Sequence, residues 1–483
     1  MNSAAPPGAI NACLGAVAED RTGNARAAAV IGAVSFVTVL SVGAKVLADP
    51  DTYWHIAAGR WMIAHEAIPT ADPFSNSVAG TPWVTHEWLS EVVLAAIYRY
   101  SGWTGIILLT ALLAGAAVAF FVYFVMKWIE PLYAIVVAAM AFMLMAPHLL
   151  ARPHMLAMPM MVAFVGGLVV ARERRESPNP WLLLVMLIWA NLHGGFLAGI
   201  GLAGFFAVEA LVEEGWSQGL RWFSFLALAV CAGLLTPNGA NAWLLLEKLS
   251  GTIGGQIIEW RSPDFQTMQP IEMWLLGFLA LCLLLGIRIR ATRVILLVGL
   301  LHLALQHVRN AELVGFVAPL AVLPSIAPQF YLALKRGYAE LSIPTQVMTG
   351  ATAATLLAVS GFLMLDHHRQ DEAISPVAAV AAARSMGVKG PVFNSYAFGG
   401  YLIFVGIPPF IDGRADMYGE AFLGRYARAE AGEGLPELLA EYKFGWTITE
   451  PGLAASRALA HLSDWRKIYS DQFAVVYVRE SSG

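Results

Sequence analysis

Stretches of roughly 20 mostly apolar residues recur along this chain, and nothing else in it constrains the fold as strongly. In hydrocarbon, where water is absent, each backbone amide needs an internal partner, so a run of this length reads as a membrane-crossing helix. About eleven such runs are expected, at 27–47, 103–126, 131–147, 155–171, 181–193, 195–212, 222–236, 271–287, 294–306, 311–328 and 347–365. The balance of residues agrees: 58% of the 483 are hydrophobic and 13% charged, more apolar surface than a water-soluble chain of this size needs. Arg21 and Arg26 precede the first run without a small-residue cleavage site, so it reads as a retained signal anchor, with residues 1–20 a disordered tail.

Lys and Arg concentrate in cytoplasmic connections, which sets the orientation. With the N-terminus inside, twelve fall in inner segments: Arg21, Arg26, Lys127, Arg172, Arg174, Arg175, Arg221, Arg288, Arg290, Arg293, Lys335 and Arg336. Six fall in outer connections ahead of the C-terminal region: Arg60, Arg99, Arg152, Lys248, Arg261 and Arg309, with Lys45 a seventh at the outer end of the first run. The bias favours N-in, and an odd number of crossings then puts the C-terminus outside. A net charge of −4 says nothing of partners, and no basic, aromatic-interleaved surface suits nucleic acid. Cys13, Cys231 and Cys282 lack ligand spacing and suggest neither a disulfide framework nor a metal cage.

The expected organisation is a cytoplasmic tail (1–26), a transmembrane domain (27–365) with a large first outer loop (48–102), and a small soluble α/β domain (366–483). In the loop, Asp51–His65 and Thr85–Tyr100 read as surface helices, with an extended segment Pro69–Pro82 between them that turns at Asp72-Pro73 and Gly80. In the last region Ser375-Pro376 starts a helix, while Pro391–Asn394, Trp446–Glu450 and Phe473–Val478 read as strands. Asn394–Tyr396 and Gly399–Tyr401 read as strand, tight turn and strand, and Asp412–Asp416 as a turn. These could contact an acceptor. Equally, the glycines could serve turn geometry and Asp412 could pair with Arg414.

Mapped onto this topology, the unusual polar residues gather on the outer face: Asp49, Asp51, His55, His86, Glu87, Glu91, His148, Arg152, His154, Asn191, His193, Asn238, Glu259, Asp264, His307, Arg309 and Asn310. Ionisable groups at span ends are costly unless paired or hydrated, so their clustering is a functional-site expectation. Any single histidine there could instead be satisfied by backbone at a helix end. Asp51 and His55, four apart on one helix, could act as base or metal ligand; Asp51 could instead merely cap the helix, or Asp49 could be the cap and leave Asp51 for other work. His86/Ser90 and Glu87/Glu91 make a polar stripe that could hold a cation or position a hydroxyl, or could be a solvated face. Arg152 and Arg309 with His148, His154 and His307 would suit a phosphate or diphosphate headgroup, or could pair with Glu87, Glu259 or Asp264.

A family resemblance rests on Asp51-Thr-Tyr-Trp-His-Ile-Ala-Ala-Gly-Arg60, Asp72-Pro-Phe-Ser75, Pro82-Trp83, His86-Glu87-Trp88-Leu89, Asn191-Leu-His-Gly-Gly195, Asn394-Ser-Tyr-Ala-Phe-Gly-Gly-Tyr-Leu402 and Asp412-Gly-Arg414. With the order of span, acidic residue, large outer loop, further spans and C-terminal domain, the chain resembles the C-type membrane glycosyltransferase superfamily, in a poorly characterised bacterial subgroup. The resemblance runs over most of the chain. It implies a polytopic α-helical protein of the bacterial cytoplasmic membrane whose C-terminal domain is periplasmic or extracellular. It implies sugar transfer from a polyprenyl-phosphate or diphosphate carrier to an envelope glycan, lipid or protein. Asp51 takes the place of the base; beside it, the residues themselves make His55 and Glu87 further catalytic candidates. His86, Arg152, His154, Asn191, His193, His307 and Arg309 would bind the donor phosphate or substrate. A divalent cation, Mg or Mn, could sit on Asp49, Asp51 or Glu91. This chain departs from some relatives in lacking adjacent catalytic acids, since Pro50 separates Asp49 from Asp51. The competing reading is a non-enzymatic lipid-binding or envelope-assembly protein on the same scaffold. A transporter fits less well, because its coupling residues would lie near the midplane.

Overall fold

The computed structural model describes residues 21–244, 261–334, 344–365 and 373–480, and each expected run lies on one of its helices. In order these are α1 (Arg21–Val42, extended by a 3-10 turn Gly43–Leu47), α2 (Asp51–His65), α3 (Trp88–Val125), α4 (Pro131–Met145), α5 (Pro153–Glu173) and α6 (Trp181–Leu192). There follow α7 (Phe196–Glu214), α8 (Trp216–Leu234), α9 (Pro270–Leu285), α10 (Ala291–Gln306), α11 (Ala311–Leu334) and α12 (Thr345–Leu363). Among the described residues eight helices are long and apolar enough to cross a membrane, and α6, α9 and α10 are apolar but shorter. The chain is a multi-pass membrane protein. The expected tail 1–20, with Lys248, Glu259, Lys335 and Arg336, lies outside the described residues.

Local chemistry explains several helix boundaries. Proline opens α4, α5 and α9 at a position whose N–H would have no helical partner. Gln269 and Glu272 form a reciprocal capping box on α9, and left-handed Gly286 ends it. Large apolar side chains on α9, α10 and α12, such as Leu284, Ile295 and Leu357, stay exposed. That is the face a helix turns to hydrocarbon. The bundle interior is closed by Phe121, Val122, Phe164 and Phe316 from α3, α5 and α11.

One boundary differs from expectation. The second surface helix and the following span, expected at Thr85–Tyr100 and 103–126, form one element starting at Trp88 and broken at Gly102, whose φ of 57° and ψ of −150° are non-helical. His86 and Glu87 therefore precede the helix, and the polar stripe is not a solvated face: Ser90 and Glu91 are buried. At the far ends of the bundle, arginines expected to set topology are also paired. Arg172 meets Glu209, Glu213 and Glu214, and Arg293 meets Glu173 and Glu209, joining α5, α7 and α10.

The C-terminal region carries a four-stranded sheet of order β1-β2-β4-β3, from Val392–Asn394, Trp446–Thr449, Trp465–Ser470 and Val475–Arg479 in chain order. β1 pairs with β2 in parallel, and the other pairs are antiparallel. β3, which carries little alternation, was not expected. Nor do Gly399–Tyr401 form a strand: Gly399–Phe404 is a short helix, α13. Its glycines serve close packing, since a Cβ on Gly400 would strike the Pro50 carbonyl and one on Gly399 the Ile411 carbonyl. That contact seats the C-terminal region on the start of α2.

Candidate active site

The site begins where α1 ends. Asp49 takes the backbone N–H of Asp51 at 2.7 Å, which anchors the first turn of α2 and leaves the Asp51 side chain for other work. Thr52 donates to the Ala151 carbonyl at 3.1 Å, tying α2 to the turn that carries Arg152. The guanidinium then spans both acids, with Nε 2.5 Å from Asp49 and Nη2 2.7 Å from Asp51. Burial raises the Asp49 carboxyl to about 6, against the pull of Arg152.

On its next turn, α2 presents His55. Gly59 allows the approach, because a Cβ there would run into the Glu91 carbonyl of α3. His55 Nδ1 lies 3.3 Å from Glu91 Oε1, and His55 Nε2 lies 3.9 Å from Glu87 Oε2. Glu87 Oε1 faces His193 at 3.4 Å and His86 at 3.8 Å. These groups form two layers. Asp51, Glu87, His86, Arg152 and His193 keep 13–21% of their side chains exposed, whereas Asp49, His55 and Glu91 behind them keep 2–4%. A ligand can touch the front layer, and the back layer orients it.

Burial raises the Glu87 carboxyl above its ordinary range, against His86, Arg309 and Arg152. Burial also holds His193 well below the ordinary imidazole value, helped by Arg309. His55 is lowered in the same way, by burial and then by Arg152. Arg309 thus acts on this group of residues, while the backbone N–H of His307 bonds Leu303 at the end of α10. Two expected residues make polar contacts within the protein. Asn191 accepts from Trp88 Nε1 and donates to the Leu187 and Leu235 carbonyls, and His154 Nε2 meets the His148 carbonyl at 2.8 Å.

No protein-family model matches this sequence, and no curated protein matches it. Among solved structures, the oligosaccharyltransferase of Archaeoglobus fulgidus in its apo form resembles it with a TM-score of 0.53 and 10% identity, over 88% of this chain and 69% of that one. The chain has the C-type glycosyltransferase fold. A second structure, ArnT from Cupriavidus metallidurans bound to undecaprenyl phosphate, aligns over 94% of this chain and 98% of its own with a TM-score of 0.49 and 16% identity.

Within this C-type fold the expected cation ligands are not brought together. Arg152 occupies Asp49 and Asp51, while Glu91 faces His55. Among the described residues no three of His, Cys, Asp or Glu converge to hold a metal ion.

The Asp412–Arg414 turn also borders the site. Arg414, fully buried, bonds Asp412 through Nε and Nη2 at 2.8 and 2.7 Å, and Asp72 of the first outer loop through Nη1 at 2.6 Å. Phe74 and Trp83 flank its guanidinium, and Tyr418 donates to Asp412 at 2.7 Å. The Asp412–Arg414 pair is structural, as one of the two expectations had it. Its position matters all the same: Gly413 between them lies against Asp51, so close that a Cβ there would overlap the carboxylate. The Asp72-Pro-Phe-Ser75 and Asp412-Gly-Arg414 motifs were visible, but nothing in the sequence paired them across more than three hundred residues.

Proposed function

We propose that this protein transfers a sugar from a polyprenyl-phosphate or diphosphate carrier to an acceptor hydroxyl, at the outer face of the bacterial cytoplasmic membrane. The observation that carries the reading is Asp51: a partly open carboxylate directly after the first span, aimed by Arg152 at 2.7 Å. The shared fold with an oligosaccharyltransferase, and the resemblance of the surrounding motifs to C-type enzymes, support it. In this reading the acceptor hydroxyl gives its proton to Asp51 as its oxygen bonds the anomeric carbon. The bond from that carbon to the phosphate oxygen breaks, and its electron pair leaves with the phosphate. Arg152 and Arg309 offset the charge developing there. The C-terminal domain, on the same side, roofs the site through Gly413 and faces the periplasm or the exterior.

Vesicle-reconstituted protein, offered a panel of polyprenyl-phosphate and diphosphate sugars, tests this. Saturable binding that Arg152→Ala weakens, with turnover that Asp51→Asn lowers by about a thousandfold or more, is expected. An Asp51→Asn protein that transfers at the parental rate removes the base. Failure to bind any carrier moves the function to non-enzymatic envelope assembly on this scaffold.

A further inference from the structure

Two carboxylates reach the open layer, and their surroundings are opposite in kind. Asp51 is held by a guanidinium, which favours its ionised form; Glu87 is held by imidazoles in a more enclosed position. The hydrogen positions can be worked out. Gly195 donates its backbone N–H to His193 Nδ1 at 3.0 Å, and a ring nitrogen that accepts carries no proton. In the neutral ring the hydrogen therefore sits on Nε2, which points at Glu87 Oε1 from 3.4 Å. On the other side His55 bridges Glu87 and the buried Glu91, one ring nitrogen toward each. A proton moving along Glu91, His55 and Glu87 changes which carboxyl holds it without changing the charge of the set.

We propose that Glu87 is the general acid of this site, partner to Asp51, and that His193 is its positioning residue. This rests on the sugar-transfer reading and completes its proton balance. The acceptor's proton goes to Asp51, the acceptor oxygen bonds the anomeric carbon, and the phosphate oxygen leaves with the electron pair. Glu87 gives that oxygen its proton. Burial, which favours a protonated Glu87, agrees with this division. The groups facing Glu87 are His55 from α2, His86 beside it, Glu91 from α3 and His193 from the turn after α6. Arg152, Arg309 and Asp416 act on it from farther elements.

The test has two arms on the full chain in lipid vesicles. In the first, without substrate, infrared difference spectra of the parent against Glu87→Gln isolate the protonated-carboxyl stretch of Glu87. Losing an N–H donor disfavours the carboxylate, so His193→Ala should move the midpoint of that band upward by half a pH unit or more. His193→Gln, whose amide reaches the Nε2 position, should restore it. In the second arm, with polyprenyl-phosphate hexoses as donors, Glu87→Gln should lower kcat at least tenfold with KM within twofold. The alkaline limb of kcat should shift upward in His193→Ala. A midpoint unmoved by His193→Ala overturns the positioning role, and a full-rate Glu87→Gln overturns the acid role while leaving sugar transfer intact. No turnover from any donor, with the band present and moved, overturns the transfer reading and the acid role with it, but leaves His193 as the group that holds Glu87.

Discussion

Asp51 owes its setting to neighbours that lie far off in sequence. Arg152 fixes one edge of the carboxylate and Gly413 closes over it, so the residue is confined between the α4–α5 turn and the C-terminal roof. Gly413→Ala adds a single carbon, directed at the carboxylate. It should lower kcat by about tenfold, roughly 1.4 kcal/mol of barrier, with donor KM within about twofold. Steady-state kinetics on vesicles measures this. A parental kcat in Gly413→Ala means that the roof does not set the Asp51 geometry. Asp51 itself was legible as the acid after the first span. Its partner was not: Arg152 was read as a phosphate ligand, and nothing local pairs residues a hundred positions apart.

At the scale of the element, periodicity and capping chemistry located the helices well. They failed where one residue decides whether two segments continue or part. Gly102 joins the surface half of α3 to its spanning half through a backbone conformation open to glycine and strained for other residues. A Cβ there meets no atom, so Gly102→Ala isolates backbone strain from packing. Its cost should be about 1–3 kcal/mol, seen as a lower thermal midpoint in detergent. An unchanged midpoint would show that the break is dictated by Trp103 and its aromatic neighbours instead. The strands were read from alternation, and β3 was missed because only its first residue is buried. The Gly399-Gly400 pair was read as a turn because sequence cannot tell a glycine needed for φ from one needed for close approach.

Across the whole molecule, the Asp72–Arg414–Asp412 clasp holds the first outer loop to the C-terminal region, helped by Asn76 donating to the Pro408 carbonyl and Ser77 to that of Phe410. Burial pushes the Asp412 carboxyl up, but the Arg414 charge and the hydrogen bonds from Arg414 and Tyr418 outweigh it, and the net shift is downward. For an acid lowered in the folded state, the stabilisation is complete above its unfolded value of about 3.9 and fades as pH falls through the folded one. Asp412→Asn should therefore destabilise by about 3–5 kcal/mol at neutral pH. The gap from the parent should narrow below about pH 4. Thermal midpoints across pH 2 to 7, about five steps, would check it; a gap of constant size places the stabilisation elsewhere.

What the sequence determined by itself was the class of the protein and the end of the bundle where its unusual polar residues gather. Runs of apolar residues cannot be satisfied in any other solvent, and charged residues at their ends must be paired or hydrated, so both facts are written locally. Tertiary structure decided which charges meet. It divided the acids between a guanidinium and a set of imidazoles, bonded Asn191 to Trp88 and His154 to the His148 carbonyl, and brought Gly413 onto Asp51. Those pairings depend on helices crossing at distances that single side chains set, and no local pattern encodes them.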